Sequence, residues 1–582
     1  MTGPFHVDES RPWFSEEAGW PDECPRNLEF PAMPLGDMLR ESARKYPGHR
    51  VAWFLDTFMA FRELDERVDR FATALHRLGV AKGDVVAILL PNSFQYLISY
   101  YALARLGAIA TGVNPTYKPG EILHQLQTVG ARGLIVLDAL YEPAVEPIVA
   151  RADLRFIVGT NIADLAYGLG IKRLLGKLLG KIPSGKLPAT ARSFTEMLQT
   201  EPAPPPVEID VFEDPATYIM TGGTTGVPKA AVLTHNNVVS NAIQARHWLY
   251  KVPPGAMNVG VLPLFHSFAM TCVMNLSVYS GMWMMLFAKP PEVRDLLDTI
   301  MKLGPDEGSM YAGAEILFQR VAEFEDIGEY DLAGKLTLCV SGAGPLHRPV
   351  QDAFERATGA RLVEGYGLTE ASPVVCAGPF WGNRKIGTIG LPFPGTEWKI
   401  LDTETGSREM GTGPDEAGEI CVTGPQVMKS YLNQPGETDE TVKLQDGKRW
   451  LFTGDIGWID EHGRVTINDR KKQLIKVKGY SVYPKEVEEL VGGHDAVSEV
   501  AVAGLPDTDT GELIKAWVVL RPDAVGSVST AQLRAWCKEN LTHYKVPSHI
   551  EFRDDLPKSL VGKVLRRELQ EADPLWKAGS AG

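Results

Sequence analysis

Thr221-Gly222-Gly223-Thr224-Thr225-Gly226-Val227-Pro228-Lys229 lies between Tyr218-Ile219-Met220 and Ala231-Val232-Leu233-Thr234-His235. Glycines let backbone N–H groups converge with no Cβ in the way, threonine hydroxyls add donors, and the lysine brings a movable positive charge. A loop of this kind cradles a polyphosphate. It departs from the G-x-x-x-x-G-K-[ST] pattern, because Val227 and Pro228 separate Gly226 from Lys229 and no Ser or Thr follows the lysine. A polar turn between two strands is the plainer reading, but turns rarely use nine such residues.

A chain of 582 residues exceeds what one hydrophobic core can organise, so several subdomains are expected. With 44% hydrophobic and 23% charged residues, the composition is that of a soluble globular enzyme. The net charge of -14 argues against nucleic acid as a partner, since phosphate backbones select basic surfaces. Six cysteines are scattered without a C-x-x-C pair and read as small buried hydrophobes in a reducing compartment. Met1 to Glu17 has no basic segment followed by an apolar run, so a cytoplasmic rather than secreted protein is expected. Val259 to Ala288 holds no Asp, Glu, Lys or Arg, yet Pro263, His266, Asn275 and Gly281 interrupt it. A buried helix followed by a strand accounts for it better than a membrane span.

Strand-like runs alternate with helical patterns: 85–90, then 94–106, then 133–137, and later 336–340, 349–357 and 361–364. This alternation predicts an α/β fold with parallel sheets covered by helices. After Gly395 short strands at 397–401, 418–423, 450–453 and 463–467 predict a β subdomain. A boundary is expected near Asp469-Arg470, dividing a large domain, 1–469, from a small α+β domain, 470–582. The small domain should contain helices at 484–491 and 530–539 and strands at 497–504 and 514–520.

One stretch stands apart. Ile171, Leu174, Leu175, Leu178, Leu179 and Ile182 recur at helical spacing among Lys172, Arg173, Lys177 and Lys181. It reads either as a peripheral contact with the inner membrane face or as a helix packed on its own domain with a solvated basic face. Monomer and homodimer both stay open.

Further constellations carry chemistry. In Glu364-Gly365-Tyr366-Gly367-Leu368-Thr369-Glu370 the glycines allow close backbone approach, Tyr366 offers an aromatic face, and Glu370 offers the hard oxygen that Mg²⁺ prefers beside phosphate oxygens. Asp455, in Thr453-Gly454-Asp455, is a carboxylate suited to a ribose diol, and Pro557-Lys558-Ser559-Leu560-Val561-Gly562-Lys563 closes the series. Each of these three is weak alone; their order and combination are not.

From Thr221 to Arg567 the chain resembles the adenylate-forming superfamily of acyl-CoA synthetases, luciferases and adenylation domains, with details most like bacterial long-chain-fatty-acid–CoA ligases. Supporting stretches include Gly424-Pro425-Gln426-Val427-Met428, Gly479-Tyr480-Ser481-Val482-Tyr483-Pro484 and Tyr544-Lys545-Val546-Pro547. The resemblance implies a large domain of stacked α/β sheets and a small mobile C-terminal domain. It implies ATP, Mg²⁺ and coenzyme A as ligands. Residue by residue, it implies that Thr221, Gly222, Gly223, Thr224, Thr225, Gly226 and Lys229 hold the β- and γ-phosphates. Gly342, Ala343, Gly344, Gly365 and Tyr366 would frame the adenine. Thr369 would contact the α-phosphate, and Glu370 with Thr221 would hold Mg²⁺. Asp455 and Arg470 would take the ribose, Lys472 would mark the hinge, and Lys476 would reach the nucleotide. Lys563 would be the catalytic lysine of adenylate formation, while Lys478 and Gly479 would serve the second half-reaction with coenzyme A.

The acyl site is expected from residues 262–274 and 311–314, with His266, Phe268, Met270 and Gly313 as its contacts. An enzyme for α-amino acids needs a carboxylate to pair the ammonium, and Val259 to Ala288 contains none. An apolar acyl chain follows. Ala230 stands where the family has glycine, and Met270 where some long-chain enzymes carry a gating tryptophan. A ligase for a medium-chain, branched or aromatic acid, and an acyl-AMP ligase serving a carrier protein, remain alternatives.

Overall fold

The computed structural model describes residues 5–169, 176, 182–221, 228–305, 308–477, 480–507, 510–559 and 562–579. Gly222, Gly223, Thr224, Thr225, Gly226, Lys478 and Gly479 lie outside them, as does the basic amphipathic stretch apart from Gly176 and Ile182. The chain divides into two compact units: Met1–Glu397 with Val422–Leu451, and Trp398–Cys421 with Phe452–Gly582.

In the first unit, among the described residues, an eight-stranded sheet runs in the order Ser430–Tyr431, Lys229–Thr234, Pro215–Thr221, Ile109–Gly112, Val85–Leu89, Gly133–Leu137, Phe156–Thr160, Arg192–Ser193. From Pro215–Thr221 to Arg192–Ser193 the pairings are parallel. Val85–Leu89 and Gly133–Leu137 are buried along their whole length, which explains why both read as unbroken apolar runs. Every residue of the helix Phe94–Arg105 is buried, with Ser93 accepting the Tyr96 N–H at 3.3 Å as its cap. The charge at its end is compensated, since Arg105 bonds to Asp65 at 2.7 Å and to Asp69 at 2.5 Å.

A second sheet, nine-stranded among the described residues, has a parallel centre of Arg361–Gly367, Leu338–Ser341, Ser309–Gly313, Met257–Gly260 and Trp283–Leu286. The uncharged stretch after Val259 therefore serves the core. It contains the π-helical segment Met270–Asn275 and the short helix Leu276–Ser280 before reaching strand Trp283–Leu286. No helix among the described residues is long and apolar enough to cross a membrane.

In the second unit Val465–Arg470 pairs antiparallel with the preceding strand, setting Asp455 opposite Arg470. A further sheet, five-stranded among the described residues, centres on Gly511–Leu520 between Val497–Asp507 and Ile475–Val477, with His549–Arg553 added in parallel. Helices Pro484–Gly492 and Thr530–Asn540 cover it through Val487, Val491, Leu533 and Cys537, and Ser529 and Gln532 form a capping box. The helices Pro484–Gly492 and Thr530–Asn540 and the strands Val497–Asp507 and Gly511–Leu520 fall where apolar periodicity places them, whereas Ile475–Val477 and His549–Arg553 were not expected. All six cysteines are buried, as expected.

Candidate active site

The strands flanking the glycine- and threonine-rich segment, Pro215–Thr221 and Lys229–Thr234, are antiparallel with Thr221 opposite Lys229. The glycine-rich segment thus starts and finishes at a fixed pair of backbone positions. Ser430–Tyr431 pairs with the outer edge of Lys229–Thr234, placing Tyr431 opposite Ala231. This register lays the Tyr431 ring beneath Lys229, whose Nζ is 5.0 Å from the ring centroid. Lys229 is also ion-paired with Glu437 on the helix Pro435–Thr441.

The other end of Tyr431 reaches Glu370. Its hydroxyl donates to Glu370 Oε1 at 2.6 Å. Burial, reinforced by the Glu370 charge, pushes the Tyr431 phenol well above its usual pKa, so the hydroxyl keeps its proton and acts as a donor. The main chain of Glu370 is fixed as well, its carbonyl accepting the Met428 N–H at 2.7 Å. The turn Thr369–Ala371 leaves strand Arg361–Gly367 at Gly367, where a Cβ would come within 2.2 Å of the Pro373 carbonyl oxygen. Glycine is needed there. A buried polar frame holds the following loop: Ser372 Oγ donates to the Gln426 carbonyl at 2.9 Å, and the Asn237 amide donates to the Pro425 and Val427 carbonyls at 2.8 and 2.9 Å.

Glu370 suits a divalent cation. The Tyr431 hydroxyl occupies Oε1 and leaves Oε2 as a hard oxygen ligand. Among the described residues no group of three or more His, Cys, Asp or Glu side chains could hold a metal. A single carboxylate of this kind, beside water and phosphate oxygens, matches the habit of Mg²⁺.

Thr369 Oγ1 lies 3.2 Å from Ser267 Oγ. Next to Ser267, His266 Nδ1 accepts the Phe268 N–H at 3.3 Å, capping the turn Ser267–Ala269. The Phe268 ring backs Gly342, where a Cβ would meet it at 2.9 Å. Gly342 N donates to the Gly313 carbonyl at 3.0 Å, and Ala343 adopts a left-handed φ of 66°. A Cβ at Gly365 would meet Val340 at 2.8 Å, while one at Gly344 would meet nothing within 4 Å. Tyr366 is half-buried opposite Cys376. Met270 is buried, and a Cβ at Gly313 would meet the Phe318 ring at 3.0 Å. The structure thus joins Lys229 to Glu370 through Tyr431, and Thr369, Ser267, Phe268, Gly342 and Gly313 in a second run of neighbours.

Within the second unit, Arg470 Nε is 3.0 Å from Asp455 Oδ1, and the Asp455 side chain is buried. Lys472 belongs to the turn Lys471–Gln473. Exposed Lys476 is anchored by its N–H on Glu512 Oε2 at 2.6 Å. Lys563 ends a small loop: Ser559 N donates to its carbonyl at 2.8 Å and Ser559 Oγ accepts its N–H at 3.1 Å.

Tyr431, Glu437 and Ser267 were missed by motif reading. Ser267 sits inside the expected acyl segment 262–274, but its contact with Thr369 spans 102 positions. Tyr431 enters through a two-residue edge strand that no periodicity announces.

A family model described as AMP-binding enzyme matches residues 39–432, and one described as AMP-binding enzyme C-terminal domain matches residues 486–563. A long-chain-fatty-acid–CoA ligase of Bacillus subtilis is 38% identical over 575 residues, covering 97% of this chain and 99% of that protein. One of Salmonella typhimurium is 37% identical over 92% of this chain and 94% of its own. The crystal structure of ATP-bound MatB from Rhodopseudomonas palustris superposes with a TM-score of 0.78 at 26% identity, covering 92% of this chain and 98% of that one. The motif order, the antiparallel pairing of Thr221 with Lys229 and these matches agree, and the chain belongs to the AMP-binding enzyme family.

Proposed function

We propose that the protein is a long-chain-fatty-acid–CoA ligase, activating its acid with ATP and transferring the acyl group to coenzyme A, as the names of its relatives indicate. A carboxylate is a poor electrophile because its leaving group would be oxide. In the first half-reaction a carboxylate oxygen bonds to the α-phosphorus of ATP, the bond from that phosphorus to the bridging oxygen breaks, and pyrophosphate leaves. In the second, the thiol sulfur of coenzyme A bonds to the acyl carbon, the thiol proton passes to solvent, and AMP departs with the former carboxylate oxygen.

The roles are those that the family resemblance implies, and the chemistry of the side chains supports them. Lys229 and the threonines and backbone N–H groups of residues 221–226 bind the outer phosphates. Glu370, oriented by Tyr431, would hold Mg²⁺ with Thr221. When bound, Mg²⁺ neutralises phosphate charge and orients the phosphates. Thr369 donates to the α-phosphate, and Asp455 with Arg470 binds the ribose. Gly342, Ala343, Gly344, Gly365 and Tyr366 frame the adenine, and Lys476 reaches the nucleotide. Lys563 supplies the cation for charge that builds on the α-phosphoryl oxygens, an effect typically worth about 3 kcal/mol. Lys478 and Gly479 serve the second half-reaction. His266, Phe268, Met270 and Gly313 line the acyl path, an apolar setting with no counter-charge for an ammonium.

The observation that carries this reading is Tyr431, which holds one ammonium, Lys229, on its ring and one carboxylate, Glu370, on its hydroxyl. A pyrophosphate-releasing site needs both charges beside one another. The test is a panel of acids from acetate through palmitate to coumarate, with pyrophosphate release and acyl-CoA measured together. Palmitate-class acids should give both products in equal amounts. Strong pyrophosphate release without coenzyme-A-dependent turnover overturns the reading in favour of a carrier-protein ligase, and a preference for coumarate overturns the acyl assignment.

A further inference from the structure

The loop that presents Lys563 is clamped at both ends. At its start, Lys558 Nζ bonds to Glu499 at 2.6 Å, and Lys558 and Val564 form an antiparallel bridge. At its finish, three residues beyond Lys563, Arg566 makes a forked contact with Glu488: Nε to Oε1 at 2.9 Å and Nη2 to Oε2 at 2.5 Å. The third nitrogen of the fork, Nη1, donates to Gln473 Oε1 at 3.0 Å. Glu488 is itself held, since its Oε1 also accepts the Val502 N–H at 2.7 Å. Side-chain exposures of 20% for Arg566 and 13% for Glu488 shield the pair from solvent.

We infer that Arg566, locked on Glu488, is a positioning residue for Lys563, fixing where the lysine loop stands for the adenylation half-reaction. The inference rests on the role given to Lys563 above. The two clamps are not equivalent. Lys558 offers a rotatable ammonium, whereas the planar Arg566 fork fixes both distance and direction. Arg566 also touches Gln473, next to Lys472, so it fastens the lysine loop to the segment proposed as the hinge. Leu556 and Leu569, on either side of the loop, share one apolar cluster with Ala501, Ala503, Leu505 and Trp517. That cluster packs the loop's flanks without using the fork. A misplacement of about 1 Å in a reacting group costs on the order of a hundredfold in rate.

The experiment compares E488Q, R566K and K563A in the full chain. Adenylation is followed by pyrophosphate release and thioester formation by acyl-CoA production from supplied acyl-AMP, with thermal unfolding as a measure of folding. The expected result is that E488Q and R566K lose about tenfold to a hundredfold in adenylation kcat with little change in the KM for ATP, and keep thioester formation within about twofold. Equal loss in both half-reactions, or unfolding of both variants, makes the pair a general structural tie and overturns the inference, as does unchanged adenylation. If K563A itself loses both half-reactions alike, the role of Lys563 fails, and the inference falls with it by a distinct route.

Discussion

The Tyr431 hydroxyl donates to Glu370 Oε1 at 2.6 Å while the Tyr431 ring carries Lys229 5.0 Å from its centroid. One side chain therefore sets both the carboxylate and the ammonium. Tyr431→Phe keeps the ring beneath Lys229 and removes only the donor. A hydrogen bond to a charged group contributes about 1.5–3 kcal/mol, so the Mg²⁺ concentration for half-maximal pyrophosphate release should rise about tenfold to a hundredfold. Weakened binding of Mn²⁺, followed by its electron-spin resonance, should match that shift. An unchanged metal requirement would remove the orienting role from Tyr431.

Glu437 pairs with Lys229, and its side chain is 43% exposed. A polyphosphate must compete for the same ammonium and tolerate the same carboxylate. Glu437→Gln should lower the KM for ATP two- to fivefold, a modest effect because partly exposed pairs contribute only about 0.2–1 kcal/mol. A raised KM would mean that Glu437 holds Lys229 in place for ATP.

The sheet strands were legible because parallel strands covered on both faces must be apolar throughout, as Val85–Leu89 and Gly133–Leu137 are. The Thr221–Lys229 stretch stood out in the sequence because its glycines and threonines have few other uses, although residues 222–227 lie outside the described residues. Tyr431 was not: its position depends on the register of Ser430–Tyr431 against Lys229–Thr234, and Lys229 lies 202 positions before it (431 − 229). Arg566 lies three residues beyond the quoted Pro557–Lys563 stretch and was not singled out. Its forked contact with Glu488 crosses 78 positions and comes from the tertiary packing of Pro484–Gly492.

His235 is buried at the start of the helix His235–Trp248, where its Nδ1 accepts the Leu35 N–H at 3.1 Å. Burial depresses its pKa from 6.5 to about 4; the Asp214 charge opposes this and Lys82 adds to it. The folded state therefore binds fewer protons than the unfolded chain between those two values. The contribution of neutral His235 is complete above about pH 6.5, declines by roughly 1.4 kcal/mol per unit as pH falls, and is gone below about pH 4. His235→Asn keeps an acceptor for Leu35 and cannot titrate. Its denaturant midpoint should fall less steeply than the parent's between pH 6.5 and 4, and equal slopes would exclude His235 as the source.

Gly342 stands against the Phe268 ring, and a Cβ there would approach that ring to 2.9 Å, closer than real contacts allow. Gly342→Ala must therefore displace Phe268, because the backbone on the other side is tied through Gly342 N to the Gly313 carbonyl at 3.0 Å. Phe268 is proposed to line the acyl path, so its displacement narrows that path without touching Glu370 or Lys229. Long acids should lose kcat/KM about tenfold relative to short ones, in keeping with the roughly 1–3 kcal/mol that small volume changes in apolar pockets command. The KM for ATP should change less than the acyl preference. Measuring both across the acid panel separates the two sites. A rise in the KM for ATP with an unaltered chain-length profile would place the Phe268 face of Gly342 against the nucleotide instead of the acyl chain.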